Sequence, residues 1–157
     1  MRKQFVTTLF ELAKKDKDIV LITGDVGFSY LEPFRDNLPN QFINVGLAEQ
    51  NMIGVATGLA LSGKKPWCYS MITFLLFRPY EQIRTACYHN TNIKLIGIAG
   101  SAAYSFLGFS HNIVKDEDKQ LLDMLPNITH FYPTTAKKVE QTVLGAYNNK
   151  GPCYIRV

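Results

Sequence analysis

The chain has 157 residues, of which 46% are apolar, 19% charged and 12% aromatic. That is a globular balance, enough for one domain that buries about two-thirds of its unfolded surface, and it excludes a disordered polymer. The formal charge of +4 is mild and spread along the chain, which argues against nucleic acid, and no apolar run approaches the ~18 residues of a membrane span.

Residues 2–14 carry Phe5, Val6, Leu9, Phe10, Leu12 and Ala13 at helical spacing. Residues 18–23 (DIVLIT) are a short β-branched run before Gly24 and predict a buried strand. A second strand is predicted over 42–45. Residues 48–61 predict a helix rich in small residues, closed by Gly63. A strand over 67–71 and a helix over 75–89 follow, with Pro79 either a local irregularity or a sign of a later start. IKLIGI at 93–98 predicts another buried strand. Residues 99–112 have no clear period and predict a long loop. A short helix over 117–124, a strand over 129–132, a helix over 136–148 and a strand over 153–157 complete the chain.

Strands that alternate with helices and are apolar on both faces predict an α/β fold, a parallel sheet with helices on both faces. Ligands on such sheets bind at the carboxyl ends of strands. The loops after Thr23, Val45, Met71 and Ile98 are therefore the candidate site.

Standard signatures are missing. GDVG at 24–27 is neither a dinucleotide fingerprint nor a P-loop, and there is no GxSxG elbow. His89, His111 and His130 show no metal-ligand spacing. Cys68, Cys87 and Cys153 are widely spaced and read as buried thiols in a reducing compartment, which makes the expected location cytoplasmic. Glu11, Lys14, Lys15 and Asp16 break up any secretory apolar core.

Residues 42–82 read FINVGLAEQNMIGVATGLALSGKKPWCYSMITFLLFRPYEQ. GLAEQNM, the small-residue helix after it, the G-x-x-P break and TFLLFRPYEQ resemble the pyrimidine-binding domain of the transketolase family of thiamine-diphosphate enzymes. The resemblance runs from Arg2 to the closing GPCYIRV.

The resemblance assigns roles that the residues alone leave open. Glu49 opens a helix and on its own reads as a dipole-favoured acid. The resemblance makes it the carboxyl, sheltered from water, that shares a proton with the cofactor's aminopyrimidine ring. Phe74, Phe77 and Tyr80 are three apart and on their own read as one core-facing helix face. The resemblance makes Phe77 the ring that stacks on the pyrimidine, flanked by Phe74 and Tyr80. Asp25 is a turn residue by default and by resemblance lies beside the pyrimidine. His111 is a solvated loop residue by default and by resemblance contacts the substrate as a catalytic residue. Arg2 is otherwise a terminal charge. It and Ser29 align with residues that hold a sugar phosphate.

Two positions depart from the family pattern. Leu107 stands where the family commonly has an aspartate, and Ala99 where it has a histidine. The cofactor half of the site matches, and the substrate half is altered toward a modified, less polar or differently oriented sugar. The family's GDG…N segment, which holds Mg²⁺ and the diphosphate, has no counterpart here. The resemblance therefore implies one domain of a split, two-carbon ketol-transferring enzyme, without the diphosphate-binding and C-terminal domains. Its Mg²⁺ would be liganded by a diphosphate-binding partner subunit, in an α₂β₂ assembly. Two alternatives stay open. One is a beta-type subunit of a 2-oxo acid dehydrogenase or a deoxyxylulose phosphate synthase-like enzyme. The other is a non-catalytic interaction subunit.

Overall fold

The computed structural model describes residues 1–100 and 102–157, with only the backbone of residues 102 and 103. Ser101, inside the loop expected over 99–112, lies outside the described residues. Six strands form one all-parallel sheet in the order β2-β1-β3-β4-β6-β5. They are β1 (Ile19–Thr23), β2 (Phe42–Asn44), β3 (Lys65–Met71), β4 (Lys94–Ile98), β5 (Thr129–Phe131) and β6 (Cys153–Arg156). All six are predicted strands, found within two residues of their expected bounds.

Side chains alternate along each strand, so each strand feeds two cores. Ile19 and Leu21 of β1 join Trp67, Tyr69, Ile96 and Ile155 on one face. There they meet Phe5 and Leu9 of α1 (Arg2–Lys15) and Val139 and Val143 of α7 (Ala136–Asn148). Val20 and Ile22 join Cys68, Leu95 and Tyr154 on the other face. There they meet Met52 and Ile53 of α3 (Glu49–Leu61), Ile83 of α5 (Tyr80–Tyr88) and Leu122 of α6 (Glu117–Asp123). Truncating a buried residue such as Leu21 to Ala costs about 2–5 kcal/mol at positions like this. Among the described residues, no helix is long and apolar enough to cross a membrane. All three cysteines are free and buried, as expected, and burial pushes the Cys87 thiol up to about 12.

Three segments differ from the sequence expectation. The helix predicted over 75–89 is two helices, α4 (Ile72–Phe77) and α5. Pro79 has no N–H, and its ring would collide with the carbonyl four residues back, so α4 stops and α5 restarts from Pro79. Phe74, Phe77 and Tyr80 consequently do not share one helix face. Phe74 packs on the first core and Tyr80 on the second. A short helix, α2 (Glu32–Asn37), was not expected. It has Pro33 in its first turn and seats Phe34 edge-on against Phe10, with ring centroids 5.5 Å apart. Finally, residues Ala102–Ser110, expected as loop, form 3₁₀ turns broken at Gly108. Gly108 has φ 59° and ψ −150°, a conformation open essentially to glycine alone.

Candidate active site

The parallel sheet brings the ends of β1 to β4 to one edge, where the loops that follow them meet. β1 ends in Thr23, whose hydroxyl donates to the Val26 carbonyl at 2.8 Å and folds the loop back. Asp25 then takes a left-handed backbone, φ 58°. Its N–H donates to Asn44 Oδ1 at 3.0 Å, and Asn44 Nδ2 donates to Asp25 Oδ1 at 3.1 Å. Asn44 Oδ1 also accepts from the Gly46 N–H at 3.0 Å. One side chain at the end of β2 thus ties the two loops together. A Cβ on Gly24 would lie 3.4 Å from the Gly46 carbonyl and 3.6 Å from Glu49 Oε1. The loops approach so closely that Glu49 sits against the start of the Asp25 turn.

Glu49 is the first residue of α3 and is only 3% exposed. Its carboxylate accepts from Arg78 Nη1 at 2.8 Å, and no described backbone N–H of α3 bonds it. The side chain is therefore not used as a helix cap. Arg78 occupies the break between α4 and α5 and is about half exposed. Its guanidinium carbon lies 3.8 Å from the Phe74 ring centroid, and its carbonyl accepts from Gln50 Nε2 at 3.2 Å. The Phe74 ring in turn meets His111 edge-to-face, with centroids 4.9 Å apart. Glu49, Arg78, Phe74 and His111 form a continuous chain of contacts across the edge.

A cleft of about 190 Å³ opens beside this chain, and Arg2, Asp25, Phe74 and His111 all line it. Arg2 is anchored: its guanidinium donates to the Ala99 carbonyl at 3.2 Å and lies over Tyr30 and Tyr104, 5.9 and 5.6 Å from their centroids. Tyr69 and Met71 of β3 form part of the wall. Burial pushes the Tyr69 phenol upward against the opposing pull of Arg2, so it stays a neutral hydroxyl.

Other expected residues stand apart. Phe77 ends α4 and is 45% exposed. Tyr80 packs on the opposite core, and its hydroxyl reaches the Leu121 carbonyl only at 3.5 Å. Ser29 does not line the cleft, although Phe28 and Tyr30 do; its N–H donates to Glu32 Oε1 at 2.8 Å. Among the described residues, no three His, Cys, Asp or Glu side chains converge as a metal centre.

Sequence reasoning missed Arg78, Asn44 and Tyr69. Asn44 carried a weak signal, a polar residue closing an apolar strand just before Gly46. Arg78 meets Glu49 only because α4 folds back on the sheet, and no spacing announces that. The assembled groups are a buried carboxylate at Glu49, paired with Arg78, and an aromatic wall at Phe74 and Tyr69 beside a cleft with a few fixed polar groups, a setting suited to a flat heteroaromatic or sugar ligand.

The chain is 37% identical to a subunit of the apulose-4-phosphate transketolase of Phocaeicola vulgatus, over 99% of this chain and 50% of that protein. It is 31% identical to the 6-deoxy-6-sulfo-D-fructose transketolase subunit SqwH of a Clostridium species, over 100% of this chain and 49% of that one. A solved split-gene transketolase, described as an inactive beta4 tetramer, superposes with a TM-score of 0.86 at 34% identity, over 99% of this chain and 50% of its own. The chain spans about half the length of the curated relatives it matches first. The family description "Transketolase, pyrimidine binding domain" matches residues 1–157, and with the geometry above it places this chain in that family.

Proposed function

We propose that the chain is the pyrimidine-binding part of a split transketolase-type enzyme that moves a two-carbon ketol unit from a ketose to an aldehyde acceptor. The family depends on thiamine diphosphate, which, when bound, supplies the carbon nucleophile for that transfer. The observation that carries the reading is Glu49, a buried carboxylate whose partner, the half-exposed Arg78, stacks on Phe74 of the cleft wall. Glu49 would hold a proton at the ring nitrogen, Phe77 would stack on the ring, Phe74 would bound it, and Asp25, fixed by Asn44, would orient it; Tyr80 packs on the other core, away from Phe74. His111 would hydrogen-bond the sugar and Arg2 would face its anionic end, whereas Ser29 lies outside the cleft.

A diphosphate-binding partner supplies the Mg²⁺ site in an α₂β₂ assembly. Phe28, Leu47, Phe106 and Phe109 are 73–81% exposed near the same sheet edge and support a partner that covers them. Three free, buried thiols support a reducing, cytoplasmic setting.

Leu107 and Ala99 offer no side-chain hydrogen bond to a sugar. A site lacking such groups loses about 1–3 kcal/mol per unmade bond. The relatives named for apulose 4-phosphate and sulfofructose suit the same conclusion, a donor other than the common pentulose phosphate.

Calorimetry tests the reading. Thiamine diphosphate with Mg²⁺ binds weakly to this chain alone and tightly once the partner is added. Tight binding by the chain alone contradicts it. Ketose phosphates turned over in preference to pyruvate distinguish it from an acyl-transferring relative.

A further inference from the structure

We propose that Ser110 is a positioning residue that fixes the tautomer of His111, so that Nδ1 carries the ring proton and Nε2 is the acceptor at the cleft. Ser110 Oγ lies 2.8 Å from the Leu107 carbonyl oxygen and 2.7 Å from His111 Nδ1. A hydroxyl has one proton to donate, and a carbonyl oxygen can only accept. Ser110 therefore donates to Leu107 and must accept from His111, which places the proton on Nδ1. The reverse assignment sets two oxygens 2.8 Å apart with no proton between them. Nε2 has no partner among the described residues, and the ring lines the cleft. It is left with a lone pair.

The arrangement is held from several sides. Thr73 at the start of α4 donates to the Ser110 carbonyl at 2.9 Å. Asn112 Nδ2 donates to the Tyr104 and Gly108 carbonyls, each at 2.9 Å. The Phe74 edge-to-face contact sets the plane of the imidazole. Ser110 is exposed, so it serves no core.

The consequence is a sign for the interaction. A neutral His111 accepts a hydrogen bond from a substrate hydroxyl and does not donate one to a carbonyl. This rests on the reading of the cleft as the sugar site.

The test is ¹⁵N-histidine NMR of the full chain above the pH at which the ring titrates. Only His89, His111 and His130 contribute, and loss of a signal in His111→Gln assigns it. The wild type shows the Nδ1–H pattern for His111. Ser110→Ala shifts it toward Nε2–H, on the order of fivefold in tautomer ratio, the worth of one hydrogen bond. Ser110→Thr restores Nδ1–H. An Nε2–H pattern in the wild type, or no shift in Ser110→Ala, overturns the proposal. The measurement needs no cofactor or sugar, so it stands apart from the transketolase reading. The placing of His111 at the sugar fails separately if the enzyme reconstituted with its partner turns over sugar at the same rate in Ser110→Ala as in Ser110→Thr, despite the tautomer switch.

Discussion

The corner where β1 and β2 end and the segment after β4 share one sheet edge but are built differently. At the corner, Asn44 bonds two loops at once, and Glu49 is buried at the start of a thirteen-residue helix. The segment from 102 to 110 is made of 3₁₀ turns around Gly108, with Phe106 and Phe109 about 80% exposed. Side chains reach in to hold it: Thr73, Asn112 and Ser110 bond its carbonyls. The corner is fixed by the fold itself. The segment is held mainly by side-chain bonds to its carbonyls, and it carries Leu107, where the sequence comparison expected an aspartate. This division suits a site whose cofactor is constant and whose sugar varies.

The largest expected effect is at the corner. Glu49→Gln lowers turnover by the reconstituted enzyme on the order of 10²–10⁴-fold, the usual worth of a proton-transfer group. The same substitution should leave the circular dichroism spectrum unchanged.

Next in size is the anchor just beyond the segment. Asp118 in α6 is fully buried and accepts from the Tyr154 hydroxyl at 2.6 Å and from Arg156 Nε at 2.8 Å. Arg156 also lies over Tyr132, 4.5 Å from its centroid. Burial opposes the charge on Arg156, but its bonds to Asp118 and Asp116 outweigh that and keep its guanidinium above the ordinary range. Asp118→Asn removes the buried one of the two counter-ions of Arg156, leaving Asp116, and costs about 1.5–3 kcal/mol in urea unfolding. If the two regions are as separate as proposed, binding of the cofactor's pyrimidine by the surviving folded enzyme is retained.

A smaller effect tests the link between them. Arg78→Ala removes both the Glu49 ion pair and the stack on Phe74. Because Arg78 is half exposed, the loss in the free chain is about 1–2 kcal/mol, read from a melting curve.

The smallest effect lies at the opposite edge of the sheet and serves as the control. Burial acts to raise the Asp16 carboxyl, but its hydrogen bonds from Lys65, the Asp18 N–H and Tyr147 hold it below the usual range. A depressed carboxylate contributes stability above its unfolded pKa of about 3.9 and loses it as pH falls through the lower folded value. Lys65→Met should therefore blunt the acid-side loss of stability below about pH 4 and change neutral stability by less than about 1 kcal/mol.

The strands were legible because runs such as DIVLIT and IKLIGI are apolar on both faces, which a central parallel strand requires. The helix break at Pro79 was half legible: the ring forbids continuation, but α4 begins at Ile72, three residues before the predicted helix, and helices fit there because Gly97 lies beneath them. A Cβ on Gly97 would come 2.6 Å from the Tyr154 hydroxyl and 2.9 Å from Ile72. That clearance is tertiary and leaves no local pattern. EPFRDN is too short to show a period, so α2 went unseen. At the site, Glu49, Asp25, Phe74, His111 and Arg2 were named from sequence; four of the five line the cleft, and Glu49 reaches it through Arg78, which stacks on Phe74. The Arg78 and Asn44 contacts were not, since each joins segments brought together only by the sheet.

The central claim is that Glu49 acts on a proton of the bound cofactor. Hydrogen–deuterium exchange at the cofactor's thiazolium carbon measures that action without any sugar. With the partner present, the wild type exchanges rapidly and Glu49→Gln slows it by at least ~10²-fold while the protein stays folded. Exchange near the wild-type rate together with a lowered melting temperature would show instead that Glu49 only supports the fold.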